Sequence, residues 1–231
     1  MTAGTRRLLP PLAMTAAMLV VLLGLGSWQV RRMVWKESML AQIAAAEGAP
    51  PIPLKTIPPP FAKISVSGVF LPERTALYGA EVRTTSSGTA MGARMIVPFQ
   101  REDGGILLVD RGWAPLNRTI PLDLPTGPVA VTGYARFADA PGWFSAKDDL
   151  AALRFYTLDP AAMGMALGQT GAAPFVLVAL GPAAAAGHWP DPARTLPRPP
   201  NNHLIYAITW FGLAIALLTI FAIWARKGPR A

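Results

Sequence analysis

The chain has 231 residues, 52% of them hydrophobic, no cysteine, and a formal net charge of +8 from 21 basic and 13 acidic side chains. The lack of thiols excludes a disulfide framework, and with no cysteine and two histidines the sequence offers little for a zinc site. In a soluble protein such a charge would suggest nucleic acid. Here, however, Arg6, Arg7, Arg31, Arg32 and Lys36 flank one uncharged stretch and Arg226, Lys227 and Arg230 follow another, while residues 37–198 balance thirteen basic against thirteen acidic groups. Basic residues so placed meet lipid phosphates, so the bilayer replaces nucleic acid as the partner.

Residues 1–7 form a short basic N-terminus. Leu8 to Trp28 carries no charge, with Pro10 and Pro11 expected in the first turn of a helix, where missing amide protons are tolerated. The run is long for a signal-peptide core and has no clear small-residue cleavage site after it. It is therefore read as a retained transmembrane helix over residues 8–30, with a cleaved signal as the alternative. Residues 31–46 lack Gly and Pro and continue the helix, as an extension over 31–48. Six prolines in residues 49–60 then mark an extended connector.

Residues 61–202 read as a β-rich domain. Short apolar or alternating runs at 61–70, 75–78, 93–99, 106–109, 129–134, 155–158 and 175–180 predict mainly antiparallel strands, with Arg101–Gly105 as a hairpin turn. Asp159-Pro160 opens a helix that stops near Gly168. After a Pro-rich return over 181–202, Leu204 to Trp224 carries no charge and forms the second span, taken as 203–224, followed by a basic tail at 225–231. The fold class is thus α+β, with terminal transmembrane helices flanking a mainly antiparallel domain. Two spans put both termini on one side of the membrane. Five basic residues lie near the span ends on each side, so the positive-inside rule does not choose an orientation.

No phosphate-binding glycine loop, nucleophile elbow or zinc helix is present, and no enzyme activity is expected. The chemistry gathers at Pro199-Pro200-Asn201-Asn202-His203, where a metal-competent imidazole opens the second span. Two readings of His203 stand: an interfacial polar residue beside two asparagines able to cap the helix, or an axial haem ligand. Tyr206 and Trp210 follow along one helix face. Where the first helix leaves the bilayer, Trp28, Arg31 or Arg32, and Trp35 form either an aromatic belt with snorkelling arginines or a basic edge for an anionic partner such as haem propionates. His188 lies in the Pro-rich return and is expected at the surface. In Val109-Asp110-Arg111-Gly112-Trp113-Ala114-Pro115, an Asp–Arg pair and a Trp covering the sheet edge are expected.

These segments resemble the surfeit locus protein one family, assembly factors for haem-copper cytochrome c oxidase. The resemblance rests on GSWQVRRMVWK after the first span, VSGVF, GARMIVPF, VDRGWAP, APFVLVAL and PPNNHLIYAITWFGLA, in order along nearly the whole chain. Asp110 departs from the Asn of many relatives. The resemblance implies a non-enzymatic role in delivering haem a, a transient cargo, to the largest oxidase subunit, with haem a synthase as a further partner. It implies His203 as the haem-iron ligand; the mechanism expected from the residues themselves adds Tyr206, Trp210 and Trp28 covering the ring and Arg31 and Arg32 meeting the propionates. It also implies a central domain on the periplasmic side, or on the intermembrane-space side in mitochondria; the Ala/Gly/Pro-rich composition and the lack of an extended transit region favour a bacterial inner-membrane protein with cytoplasmic termini. A scaffold that stabilises oxidase assembly intermediates without binding a cofactor is the alternative.

Overall fold

The structure is a computed structural model that describes residues 3–85, 88–117, 122–139, 142 and 145–227, with side chains from residue 9 onward. Arg230 and the side chains of Arg6 and Arg7 lie outside the described residues. The chain forms two compact units, one of Met1–Gln42 with Arg198–Ala231 and one of Ile43–Pro197.

The first unit is a helix pair. Helix α1 runs unbroken over Ala3–Gly48, about 69 Å at 1.5 Å per residue, far beyond a hydrocarbon core of about 30 Å. Because ordinary helix formers precede it, the helix starts upstream of the prolines. Pro10 and Pro11 therefore sit inside α1 rather than in its first turn, and their ladder hydrogen bonds are forgone. Helix α3 spans His203–Lys227 and ends on Arg226 and Lys227, cations suited to a helix C-terminus. By length and composition both helices could cross a membrane.

The second unit is built on eight strands: β1 Ile52–Pro53, β2 Lys63–Phe70, β3 Ala76–Thr85, β4 Gly88–Arg101, β5 Ile106–Pro115, β6 Val129–Phe137, β7 Arg154–Phe155 and β8 Phe175–Ala179, with helix α2, Pro160–Ala166, between the last two. Their order is β1-β2-β6-β8-β5-β4-β3-β7, and β2 also pairs with the far end of β4. That extra pairing closes β2, β6, β8, β5 and β4 into a ring. At the closure an added Cβ on Gly68 would lie 2.1 Å from the Gln100 carbonyl oxygen, so the two backbones meet only because this residue has no side chain.

Alternation along each ring strand separates two cores. Val97 and Phe99 of β4, Leu107 and Val109 of β5, and Phe175 and Leu177 of β8 fill one cluster with Ile64, Phe70 and Ala135. Their neighbours Ile96, Leu108 and Val176 point the other way and pack with Met163 and Leu167 of the α2 region and Phe155. Asp159 caps α2 by accepting from the amides of Ala161 (3.0 Å) and Ala162 (3.1 Å), and Gly168 stops it at φ +75°. The hairpin turn at residues 101–105 is present, with the Gly105 amide donating to Asp103 at 3.0 Å.

The sheet is mostly antiparallel, as expected, and two features add to that expectation. The β1–β2, β3–β7 and β5–β8 pairings are parallel. The Pro-rich connector contributes β1, since Pro53 can occupy an edge position where no amide is required.

Candidate functional site

In the helix pair, side chains shielded from solvent recur along α1 at Thr15, Leu19, Leu22, Gly26, Gln29, Met33 and Lys36, and along α3 at His203, Ala207, Trp210, Ala214, Leu217 and Phe221. Alternate steps of three and four are the spacing of a left-handed two-helix seam. Small residues let the helices approach, and a Cβ added at Gly26 would lie 2.7 Å from the Phe211 ring. The flanking apolar residues, such as Val20 and Ile205, are exposed.

One polar pair interrupts this seam. Gln29 is 8% exposed, and its Oε1 lies 2.7 Å from Nδ1 of His203, the first residue of α3. A buried amide needs such a partner, because leaving it unsatisfied costs about 1–3 kcal/mol. Asn202 supplies the carbonyl for the first turn, accepting from the Tyr206 amide at 3.4 Å. The Asn201 side chain turns instead toward α1, its Nδ2 donating to the Met33 carbonyl at 3.5 Å, while its Oδ1 is buried with no partner among the described residues.

The other sequence-derived candidates separate around this pair. Trp210 shares the packed face of α3 with His203, whereas Tyr206 lies off it, 54% exposed. Trp28 is 51% exposed and occupies one flank of α1 with Arg32, whose guanidinium stacks 4.0 Å over Trp35. Arg31 is exposed and lies about 200° around the helix from Gln29, on the side turned away from the seam. The structure thus joins His203 to Gln29 and seats Trp210 on the same seam, and it does not bring Arg31 to them.

In the strand unit, Asp110 is 1% exposed and pairs with Arg94 rather than with its neighbour Arg111. Its second oxygen accepts from the Gly112 amide at 3.0 Å. Burial alone would lower the Arg94 pKa, but Asp110, with smaller contributions from Tyr134 and Glu81, turns the net shift upward. The alternation of β5 explains the partner choice: Arg111 points to the opposite face, stacks over Phe70 and donates to the Asp123 carbonyl at 2.6 Å. Burial lowers its pKa. Trp113 is itself buried, so the β5 edge is covered not by its ring but by the backbone of Asp191, which exchanges two hydrogen bonds with the Trp113 backbone. His188 is exposed, on the rim of a cleft of about 320 Å³ with Arg83, Trp189 and Arg194.

A sequence model of the SURF1 family matches residues 16–215 of the chain. The chain belongs to the SURF1 family. It is similar to a SURF1-like protein of Rickettsia felis, with 30% identity over 214 residues covering 90% of this chain and 93% of that protein. A SURF1-like protein of Monosiga brevicollis is 29% identical over 225 residues (90% and 85%), and Surfeit locus protein 1 of Xenopus tropicalis is 29% identical over 233 residues (90% and 72%). The motifs that carried the resemblance are therefore those of a SURF1 member, and the matched span contains Gln29, His203 and the Arg94–Asp110 pair.

Sequence reasoning missed Gln29 in this SURF1 chain. The residue stands inside the GSWQVRRMVWK motif, but an uncharged amide between a Trp and two arginines gives no chemical signal by itself. The signal that could have found it is the seam spacing, which makes Gln29 the one amide side chain facing the partner helix among the described residues of α1.

Proposed function

We propose that this SURF1 chain is a membrane-anchored assembly factor for a haem-copper cytochrome c oxidase, without enzymatic activity, that binds haem a at the start of α3 and hands it to the largest oxidase subunit. The observation that carries the reading is His203 at the first residue of α3, its Nδ1 engaged by a buried amide oxygen on α1. A ligating histidine has one nitrogen held in this way and the other left for the metal.

The residues present suit the cargo. Iron in haem accepts an axial imidazole, which His203 would provide. Exposed Trp28 and Tyr206 offer apolar rings to a porphyrin, and Arg32, held over Trp35, offers a cation to its propionates. Arg31, on the far side of α1, has a weaker claim to that role and is better suited to lipid phosphates. In this reading α1 and α3 cross a bacterial inner membrane, the strand unit is periplasmic and both termini are cytoplasmic. Haem a synthase supplies the cargo, and with no cysteine to form a thioether the chain holds it by coordination, which permits release.

Purification of the full chain from cells that make haem a, followed by its absorption spectrum, tests the proposal. Bound haem a is expected in the native chain and its loss in His203→Ala. Unchanged haem content in that variant would remove His203 as the ligand.

A further inference from the structure

The contact between Gln29 and His203 has a direction. The amide oxygen, not the amide nitrogen, faces Nδ1 at 2.7 Å. A carbonyl oxygen can only accept, and a neutral imidazole carries one N–H. The proton must then sit on Nδ1, which leaves the lone pair on Nε2. With the amide turned over, its NH₂ would donate to Nδ1 and the ring proton would move to Nε2, blocking that nitrogen as a ligand. A single amide orientation therefore decides whether this histidine can hold a metal through Nε2.

The surroundings hold the two side chains together. Gln29 is 8% exposed within an apolar seam, between Gly26 one turn before it and Met33 one turn after. Water cannot readily replace the imidazole as its partner. His203 in turn is fixed at the first residue of α3, whose preceding Asn201 also reaches α1.

We propose that Gln29 is a positioning residue that selects the Nδ1–H tautomer of His203 and presents Nε2 as the iron ligand. This rests on His203 being the haem ligand. Gln29 acts on the iron through the ring, as hydrogen-bonding partners of ligating histidines do.

Nitrogen NMR of the full chain in detergent, with labelled histidine and no haem, reads the tautomer directly, because protonated and unprotonated ring nitrogens differ widely in chemical shift. The native chain is expected to show His203 as Nδ1–H. Gln29→Leu keeps the volume, suits an apolar seam and lacks an acceptor, so its ring should lose that preference. Gln29→Glu keeps an acceptor at the same place and should retain it. In titrations with haem a, Gln29→Leu should weaken binding about 10- to 100-fold, with Gln29→Glu recovering most of the loss. The reduction potential of the bound iron should fall from Leu to Gln to Glu as the acceptor strengthens.

A native chain with the proton on Nε2, or a Gln29→Leu chain with unchanged tautomer and haem affinity, would overturn the proposal. Polar residues in a helix seam also fix register. A Gln29→Leu chain that loses affinity while keeping the Nδ1–H tautomer would assign that structural role instead and overturn the positioning role. If His203→Ala binds haem a as the native chain does, the ligand reading itself fails. The tautomer measurement keeps the two failures apart.

Discussion

Asp110 is the carboxylate on which the strand unit most depends. It is 1% exposed, opposes a guanidinium mostly withdrawn from water, and also accepts the Gly112 amide. Arg94 already has one buried nitrogen, Nη2, without a partner among the described residues. Removing one member of a buried pair leaves the other charge uncompensated, which costs about 3–5 kcal/mol. Asp110→Ala is therefore expected to lower the stability of the chain by that order. Asp110→Asn keeps an acceptor for Gly112 and a neutral acceptor for Arg94, so its loss should be smaller, no more than the worth of a hydrogen bond to a charged group, about 1.5–3 kcal/mol. Chemical denaturation of the two variants beside the native chain checks the ranking. Asp110 does not belong to the helix pair, so haem content per folded molecule should be unchanged in both variants.

Helices and strands differ in how much of their role their own residues reveal. Strands β2, β5, β6 and β8 were legible because alternation sorts Leu107 and Val109 from Leu108, and Phe175 and Leu177 from Val176. Closure of the ring was not, since it depends on Gly68, Val69 and Phe70 meeting Arg101, Gln100 and Phe99 across a long stretch of chain. The far halves of β3 and β4 were also missed: Gly79 to Thr85 and Gly88 to Gly92 are mostly small or polar and read as loop, yet they pair antiparallel beyond a bulge. In α1 and α3 nearly every residue of the spans is apolar, so hydrophobicity does not distinguish the packed face, and small size alone does not either. Gly24 and Gly26 separate the cases. A Cβ at Gly26 meets the Phe211 ring at 2.7 Å, whereas nothing lies within 4 Å of one at Gly24. Gly26→Leu is expected to destabilise the helix pair by about 1–3 kcal/mol through overpacking. Gly24→Leu should be neutral or gain up to about 1 kcal/mol from helix propensity. Thermal unfolding in detergent reads the difference, and equal effects would reject the seam.

At the scale of the whole molecule, charge and structure divide at the same places. Residues 43–197 hold twelve basic and twelve acidic side chains, so the entire excess of +8 belongs to the helix-pair unit. An anionic surface attracts a unit of such charge and leaves a neutral unit indifferent. The strand unit, at about 155 residues, has the size of an independent domain. It contains both hydrophobic clusters, the ring closure and α2 with its Asp159 cap. Residues 43–197 produced alone are therefore expected to give a strand-rich circular dichroism spectrum and to unfold in a single cooperative step. The fragment lacks Gln29 and His203, so it should bind no haem a, while the full chain from the same cells carries it. A folded fragment that binds haem a as tightly as the full chain would transfer the cargo site to the strand unit. There the cleft bearing His188, Trp189 and Arg194 would be the first place to look.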